Sequence, residues 1–349
     1  MSMVLARHDR GNIAGSLSLQ DNGNVNKFPQ RFGFTPAGFF VCTALLLLVR
    51  VSGAQQVSGL DQKLFAAIGN RDLIGVENLL QQGAHIEAKS TNGMTPLMSA
   101  AESGNVPLVS LLLERGADAA ANDDQGETAL SWAARGGWVR IVNLLARFSD
   151  APAKNRALMG AVEGGPVVIQ IDPANLPPNL PPPPNGASEV EESWTDTVKV
   201  LLDNGAELEA RDHDGSTPLS WAASFAQTDI FKLLMDRGAR INVTDKYGNT
   251  PLIAAACECA VATMNSAYDV MKMLLEHGAA VNARNHDGRT ALMMASGMTG
   301  DAAVLELLLT NGADLRAKDK NGKSALAIAR ESRRDDKIRI LEKAYSETR

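Results

Sequence analysis

The sequence predicts an all-α repeat solenoid, and three observations predict it. A short motif returns at Thr95, Thr128, Thr217, Thr250, Thr290 and Ser324, and the spacings 95 to 128 and 217 to 250 are both 33 residues. A fixed period of that length marks stacked supersecondary units. Each return opens on a helix start, and six units close on Gly-Ala, a helix stop. Aromatic residues make up only 5% of the 349 residues while Ala and Leu are plentiful, which suits helices packed closely through small side chains.

In chain order, the first element is an apolar run at 36–49, preceded by Lys27 and Arg31 and followed, after Arg50, by Val-Ser-Gly-Ala-Gln-Gln. A charged leader, an apolar stretch and small residues at Ser52 and Ala54 predict an export signal over 1–54, cleaved after Ala54. The run is shorter than the roughly 20 residues that span a bilayer. Arg50 and a leader of about thirty residues depart from the usual layout. An uncleaved anchor, a buried helix and a cytoplasmic protein therefore stay as alternatives to a periplasmic or secreted one.

From Thr95 onward each unit starts with Thr-Pro-Leu or Thr-Ala-Leu. The Thr hydroxyl can accept an orphan backbone N–H at the helix start, and Pro at the first helical position has no N–H to lose. The small pairs Ala100–Ala101, Ala133–Ala134 and Ala222–Ala223 let first helices approach closely. A second helix follows, with Val106, Val109, Leu112 and Leu113 in one unit and Ile230, Leu233 and Leu234 in another at helical spacing. Gly83, Gly116, Gly205, Gly238, Gly278 and Gly312 then stand where a left-handed cap is needed. An extended stretch and a glycine-ended turn complete the unit, as in Asp212-His213-Asp214-Gly215 and Asp245-Lys246-Tyr247-Gly248.

With these motifs recurring in register, residues 61–345 resemble the ankyrin-repeat family. The resemblance implies helix pairs with short β-hairpin fingers, about eight units including caps, and protein binding on the concave surface of fingers and first helices. The units run 61–93, 94–127, 128–153, 154–216, 217–249, 250–289 and 290–323, with an ending cap from Ser324. Arg330, Arg333, Arg334, Lys337 and Arg339 read as the solvated outer face of that cap.

The chain departs from the family pattern in places. Where the family commonly has a hydrogen-bonding His there are Met98, Ser131, Ser220, Ile253 and Met293, so that polar network is missing or rebuilt. Trp132 and Trp221, next in line, read as core, with the concave surface as the alternative. The third unit lacks a finger, and residues 164–193 form an insertion with eight prolines, incompatible with a helix. It is either a tolerated loop or a contributor to partner binding. About seven extra residues near Cys257–Ala267 lengthen the sixth unit's helix connection.

Chemistry is hard to find. Residues 55–349 hold 29 bases against 38 acids, and such a body repels phosphate backbones, so nucleic acid is not an expected partner. Phosphate loops, zinc helices and nucleophile elbows are absent from the sequence. Cys257 and Cys259, two apart in a helix, point to different faces and are not expected to pair; Cys42 lies in the apolar run. His213 and His286 lie in like turns two units apart, roughly 20 Å at the usual spacing of packed helices, too far to share an ion. No cofactor or metal is expected. The candidate partner-binding residues are His213, Asp214, Lys246, Tyr247, His286, Asp287, Lys320 and Asn321 at finger tips, with Phe225 as an aromatic anchor. Asn242-Val243-Thr244 matches a glycosylation acceptor. A protein-binding scaffold is the expected function. The alternative is an enzyme or enzyme subunit using the insertion with Glu163 and Asp203.

Overall fold

A computed structural model describes residues 59–164, 193–258, 264–298 and 302–347. The expected export signal with Cys42, the insertion apart from its two end residues, and Cys259 lie outside the described residues. Sixteen helices are described, and they pair in chain order. The pairs are α1 (Gly59–Gly69) with α2 (Leu73–Gln81), α3 (Pro96–Glu102) with α4 (Val106–Glu114), α5 (Ala129–Arg135) with α6 (Val139–Ala146), and α7 (Ala151–Gly164) with α8 (Trp194–Asp203). They continue as α9 (Pro218–Ser224) with α10 (Thr228–Asp236), α11 (Pro251–Glu258) with α12 (Met264–Glu276), α13 (Ala291–Gly297) with α14 (Ala303–Thr310), and α15 (Ala325–Glu331) with α16 (Asp335–Glu347). First helices pack on first helices and second on second, so the eight pairs form one stack.

Local chemistry sets each helix. The hydroxyls of Thr95, Thr128, Thr217, Thr250, Thr290 and Ser324 each accept the N–H three residues on, at 3.3–3.4 Å. Where the family's histidine is absent the cap is rebuilt: the Ser131 and Ser220 hydroxyls lie 3.4 and 3.1 Å from those of Thr128 and Thr217. At the other end Gly238 takes φ +86°, and the Ala239 N–H returns to the Leu234 carbonyl at 3.0 Å, closing α10.

The core is one continuous apolar seam. Leu97, Leu108, Leu130, Ile141, Leu158 and Phe231 are essentially sealed from solvent. The alanine pairs are sealed as well, which lets neighbouring first helices close up. Polar links tie unit to unit at the ends of the first helices. The Trp138 indole donates to the Glu102 carbonyl at 3.1 Å, and Trp194 to Arg135 at 3.0 Å. Gln227 donates to Val162 at 2.7 Å. Lys337, read from sequence as solvated, is instead 1% exposed and donates to the Ala295 and Met298 carbonyls at 2.6 and 2.8 Å. Its ammonium satisfies the orphan carbonyls where α13 stops, and a cation suits the negative end of a helix.

Two other expectations are corrected. The third unit ends at Asp150, not 153, because the Asp150 carboxylate accepts the Ala153 N–H at 2.8 Å and starts α7 early. The extra first turn of α7 stands in for the missing finger: Asn155 accepts the Glu207 N–H at 2.7 Å, and Arg156 donates to the Gly126 carbonyl. The fingers are turns without β-strands among the described residues: two backbone bonds close each one, as where the Asp245 N–H donates to the Asn249 carbonyl and the Gly248 N–H to the Asp245 carbonyl, both at 3.1 Å.

Replacing Lys337 by Ala leaves the α13 carbonyls buried without their donor. The expected loss is about 2–4 kcal/mol of unfolding free energy, measured by urea denaturation, against under about 1 kcal/mol for Arg339→Ala on the exposed face of the same helix.

Candidate functional site

The finger turns are built around one side chain each. In the turn at 245–249 the Asp245 carboxylate accepts the N–H groups of Tyr247 and Asn249 at 2.8 Å and the Asn249 side-chain amide at 2.9 Å. Asp123, Asp212, Asn285 and Asp319 repeat the arrangement. Gly248, at φ +80°, completes the turn; a Cβ there would sit 2.8 Å from the His286 ring and 3.0 Å from the His286 nitrogen.

Successive turns are then joined tip to tip. The Lys246 N–H donates to the Asp214 carbonyl at 2.8 Å, His286 to Tyr247 at 2.8 Å, and Lys320 to Asp287 at 2.9 Å. The structure thus brings His213, Asp214, Lys246, Tyr247, His286, Asp287, Lys320 and Asn321 into one row of four adjoining tips. A second ladder runs along the finger arms, where the Glu209 carboxylate accepts the Arg240 N–H at 2.8 Å and the Asn242 and Asn282 carbonyl oxygens accept those of Ala280 and Asp314 at 2.9 and 2.8 Å. Asn242 also donates to the Gly278 carbonyl at 3.2 Å. Its amide is therefore a structural bridge, which a glycan would break.

Side chains at the tips interact laterally. Lys246 pairs with Asp214 and lies 5.1 Å from the centre of the Tyr247 ring. His213 reaches the same Asp214 carboxylate at 3.2 Å. The hydrogen bond to Asp214 holds the Lys246 ammonium above the usual lysine value of 10.5, desolvation opposing it and Tyr247 assisting. A raised lysine pKa means that whatever the pair contributes is complete below 10.5 and is lost only as pH climbs through the raised value. The link is therefore closed throughout the neutral range.

Behind the tips lies an aromatic shelf. Trp132 and Trp221 pack against the core but are only half-buried rather than sealed in it, because each indole N–H turns to a finger carboxylate: Asp123 at 3.1 Å and Asp212 at 2.8 Å. Phe225 stacks on Trp221 with ring centres 5.2 Å apart and 20° between planes. Arg135 lies 5.8 Å from the Trp132 ring and pairs with Glu127 at 3.1 Å and Glu163 at 3.4 Å. It reaches across Gly160, where a Cβ would touch its Cγ at 3.4 Å. Glu163 and Asp203 do not come together as a catalytic pair would: Asp203 is bound to Arg237 at 2.9 Å, at the end of a second helix. Among the described residues no three His, Cys, Asp or Glu side chains are grouped to hold a metal ion, and no helix is long and apolar enough to cross a membrane.

The acceptor side chain at the centre of each turn was missed from sequence, although its signal was present as Asp or Asn three residues before Gly126, Gly215, Gly248, Gly288 and Gly322. Asp245→Ala should leave the Tyr247 and Asn249 amides unpartnered. Their hydrogen exchange is expected to accelerate by about tenfold or more and global stability to fall by about 1–3 kcal/mol, with exchange in α3 and α4 unchanged.

A family model for ankyrin repeats in three copies matches residues 64–167 and 187–285, and one for ankyrin repeats in many copies matches 265–329. Comparison with curated proteins finds no match. The matched segments span more than half of the chain and contain the capped first helices, the glycine-stopped second helices and the linked finger turns. The chain belongs to the ankyrin-repeat family, whose repeats are generally protein–protein interaction modules.

Proposed function

We propose that this chain is an interaction scaffold that binds a partner protein across its finger tips and the neighbouring first-helix surface. The observation that carries the reading is the disposition of the tip row. The ladder between turns takes up the N–H groups of Lys246, His286 and Lys320 and fixes the tips in register, while the side chains of His213, Lys246, Tyr247, His286, Lys320 and Asn321 stand exposed. Side chains held in register by a rigid backbone lose little freedom on docking, which lowers the cost of association. Tyr247, 40% exposed among charged neighbours, and Phe225 on its tryptophan supply the aromatic surface that usually dominates binding energy.

The apolar run at 36–49 and the small residues at 52 and 54 support a place for this scaffold outside the cytoplasm, in the periplasm or secreted. Amino-terminal sequencing of the chain from fractionated cells is expected to begin at Gln55; an intact Met1 in the cytosolic fraction would contradict export.

Partner binding is tested by capture with the full chain and with a Lys246→Ala, Tyr247→Ala double variant. Both side chains are surface groups, so thermal unfolding should shift little, whereas affinity for the captured partner should drop by about tenfold or more. Undiminished affinity would move the binding site off the tips.

A further inference from the structure

The finger row is electrically polarised. Fingers 117–128 and 206–217 together hold eight acids and one base, whereas fingers 239–250, 279–290 and 313–324 hold eight bases and four acids. This reversal occurs in a body that is acidic as a whole, so the basic end stands out against its surroundings.

Pairing sharpens the contrast. Towards the middle of the row the bases are occupied: Lys246 by Asp214, Arg240 by Glu209 at 3.6 Å, and Arg289 by Asp319 at 3.6 Å. In the last finger Arg316, Lys318 and Lys320 are exposed and alternate with buried Leu315, Ala317 and Asp319. Arg316, Lys318 and Lys320 have no carboxylate partner among the described residues, although Asp314 and Asp319 are in the same finger, because Asp319 is turned inward to its own turn and Asp314 accepts the Arg316 N–H. Arg316 and Lys318 line an open cleft of about 700 Å³ with Ser324, Tyr345, Ser346 and Glu342, the last already paired with Arg330 at 2.7 Å.

We infer that the cleft and finger at Arg316, Lys318 and Lys320 dock a short acidic segment of the partner protein. This deepens the scaffold reading and rests on it. Cations without a carboxylate partner, two lining a cleft and the third on the same exposed side of the finger, gain most from carboxylates that approach them, and such complementarity sets the orientation and rate of docking. A short segment fits better than a long polyanion. Nucleic acid running along the row would leave the basic finger and meet the acidic ones, and a flat anionic membrane would face both at once.

The test is fluorescence anisotropy of the full chain with a short labelled peptide of alternating Glu and Ser. Arg316→Glu, Lys318→Glu, Lys320→Glu in combination is expected to weaken binding by about tenfold or more, and moderate salt to weaken the wild type similarly. The triple change Lys63→Glu, Arg140→Glu, Lys199→Glu, with the same net charge but distant cations, should stay within about twofold. Should the reversed-charge variant unfold, the neutral triple with Gln at the three positions gives the same reading. Equal weakening by both triples, or no binding of the peptide at low salt, overturns the inference. So does tighter binding of a single-stranded oligonucleotide or of anionic phospholipid vesicles. Self-association abolished by the first triple would also overturn it, making the acidic fingers of a second copy the occupant. A captured partner lost by the Lys246, Tyr247 variant yet kept by the reversed-charge triple would refute the acidic segment and leave the scaffold reading standing.

Discussion

Each helix pair in this chain covers the seam between its own two helices and leaves its flanks bare until a neighbour closes over them. Burying side chains such as Leu97, Leu130 or Phe231 is worth about 1.5–3 kcal/mol each, and the unit next door supplies part of that burial. The stack is therefore obligatory for every inner pair. The two ends meet the constraint differently. At the start Leu73 and Ile74 on α2 remain 39% and 71% exposed, while at the other end α16 turns charged side chains outward and buries only Lys337 and Leu341.

Once the apolar seam fixes the spacing, polar groups in successive units fall opposite one another and can pair. That is why the links repeat at like positions: a second-helix side chain onto the end of the preceding first helix, an arm side chain onto the next arm, and a tip N–H onto the preceding tip. The neutral bonds contribute about 0.5–1.5 kcal/mol net and those to charged groups about 1.5–3, and each satisfies a backbone group that would otherwise be costly to cover. Their joint effect is positional. With the tips joined through Lys246, His286 and Lys320, the fingers present their side chains outward in a fixed register.

Much of this was legible in the sequence because it rests on backbone rules with fixed residue signatures. Thr at the helix start, Gly-Ala at the stop and the period between them place the helices to within a residue or two, and the tip residues follow from the glycine that ends each turn. What could not be read depended on the reach of long side chains across a spacing of about thirty residues. Lys337 looked like a surface cation because its own helix is polar; only the neighbouring unit reveals carbonyls waiting for it. Trp132 and Trp221 looked like core because they sit in an apolar run, yet an indole N–H seeks an acceptor and the finger carboxylates supply it. The finger row itself, as opposed to its members, emerges only from the tip-to-tip bonds.

The fourth unit shows how a local exception reshapes the whole surface. Gly160 stands where the flanking units have Trp132 and Trp221, and α7 begins where a finger would otherwise project. The row is thereby interrupted between Gly126 and Glu207, and Arg156 and Asn155 bridge the gap by bonding to one side and the other. Because the stack continues unbroken beneath, the exception costs surface and not core. Acidic and basic fingers consequently lie at fixed, different distances along one scaffold. A partner with a single sign of charge could settle at one end only, and a partner with both could align in one direction only. Direction, more than affinity, is what a polarised row of charges on a rigid backbone can enforce.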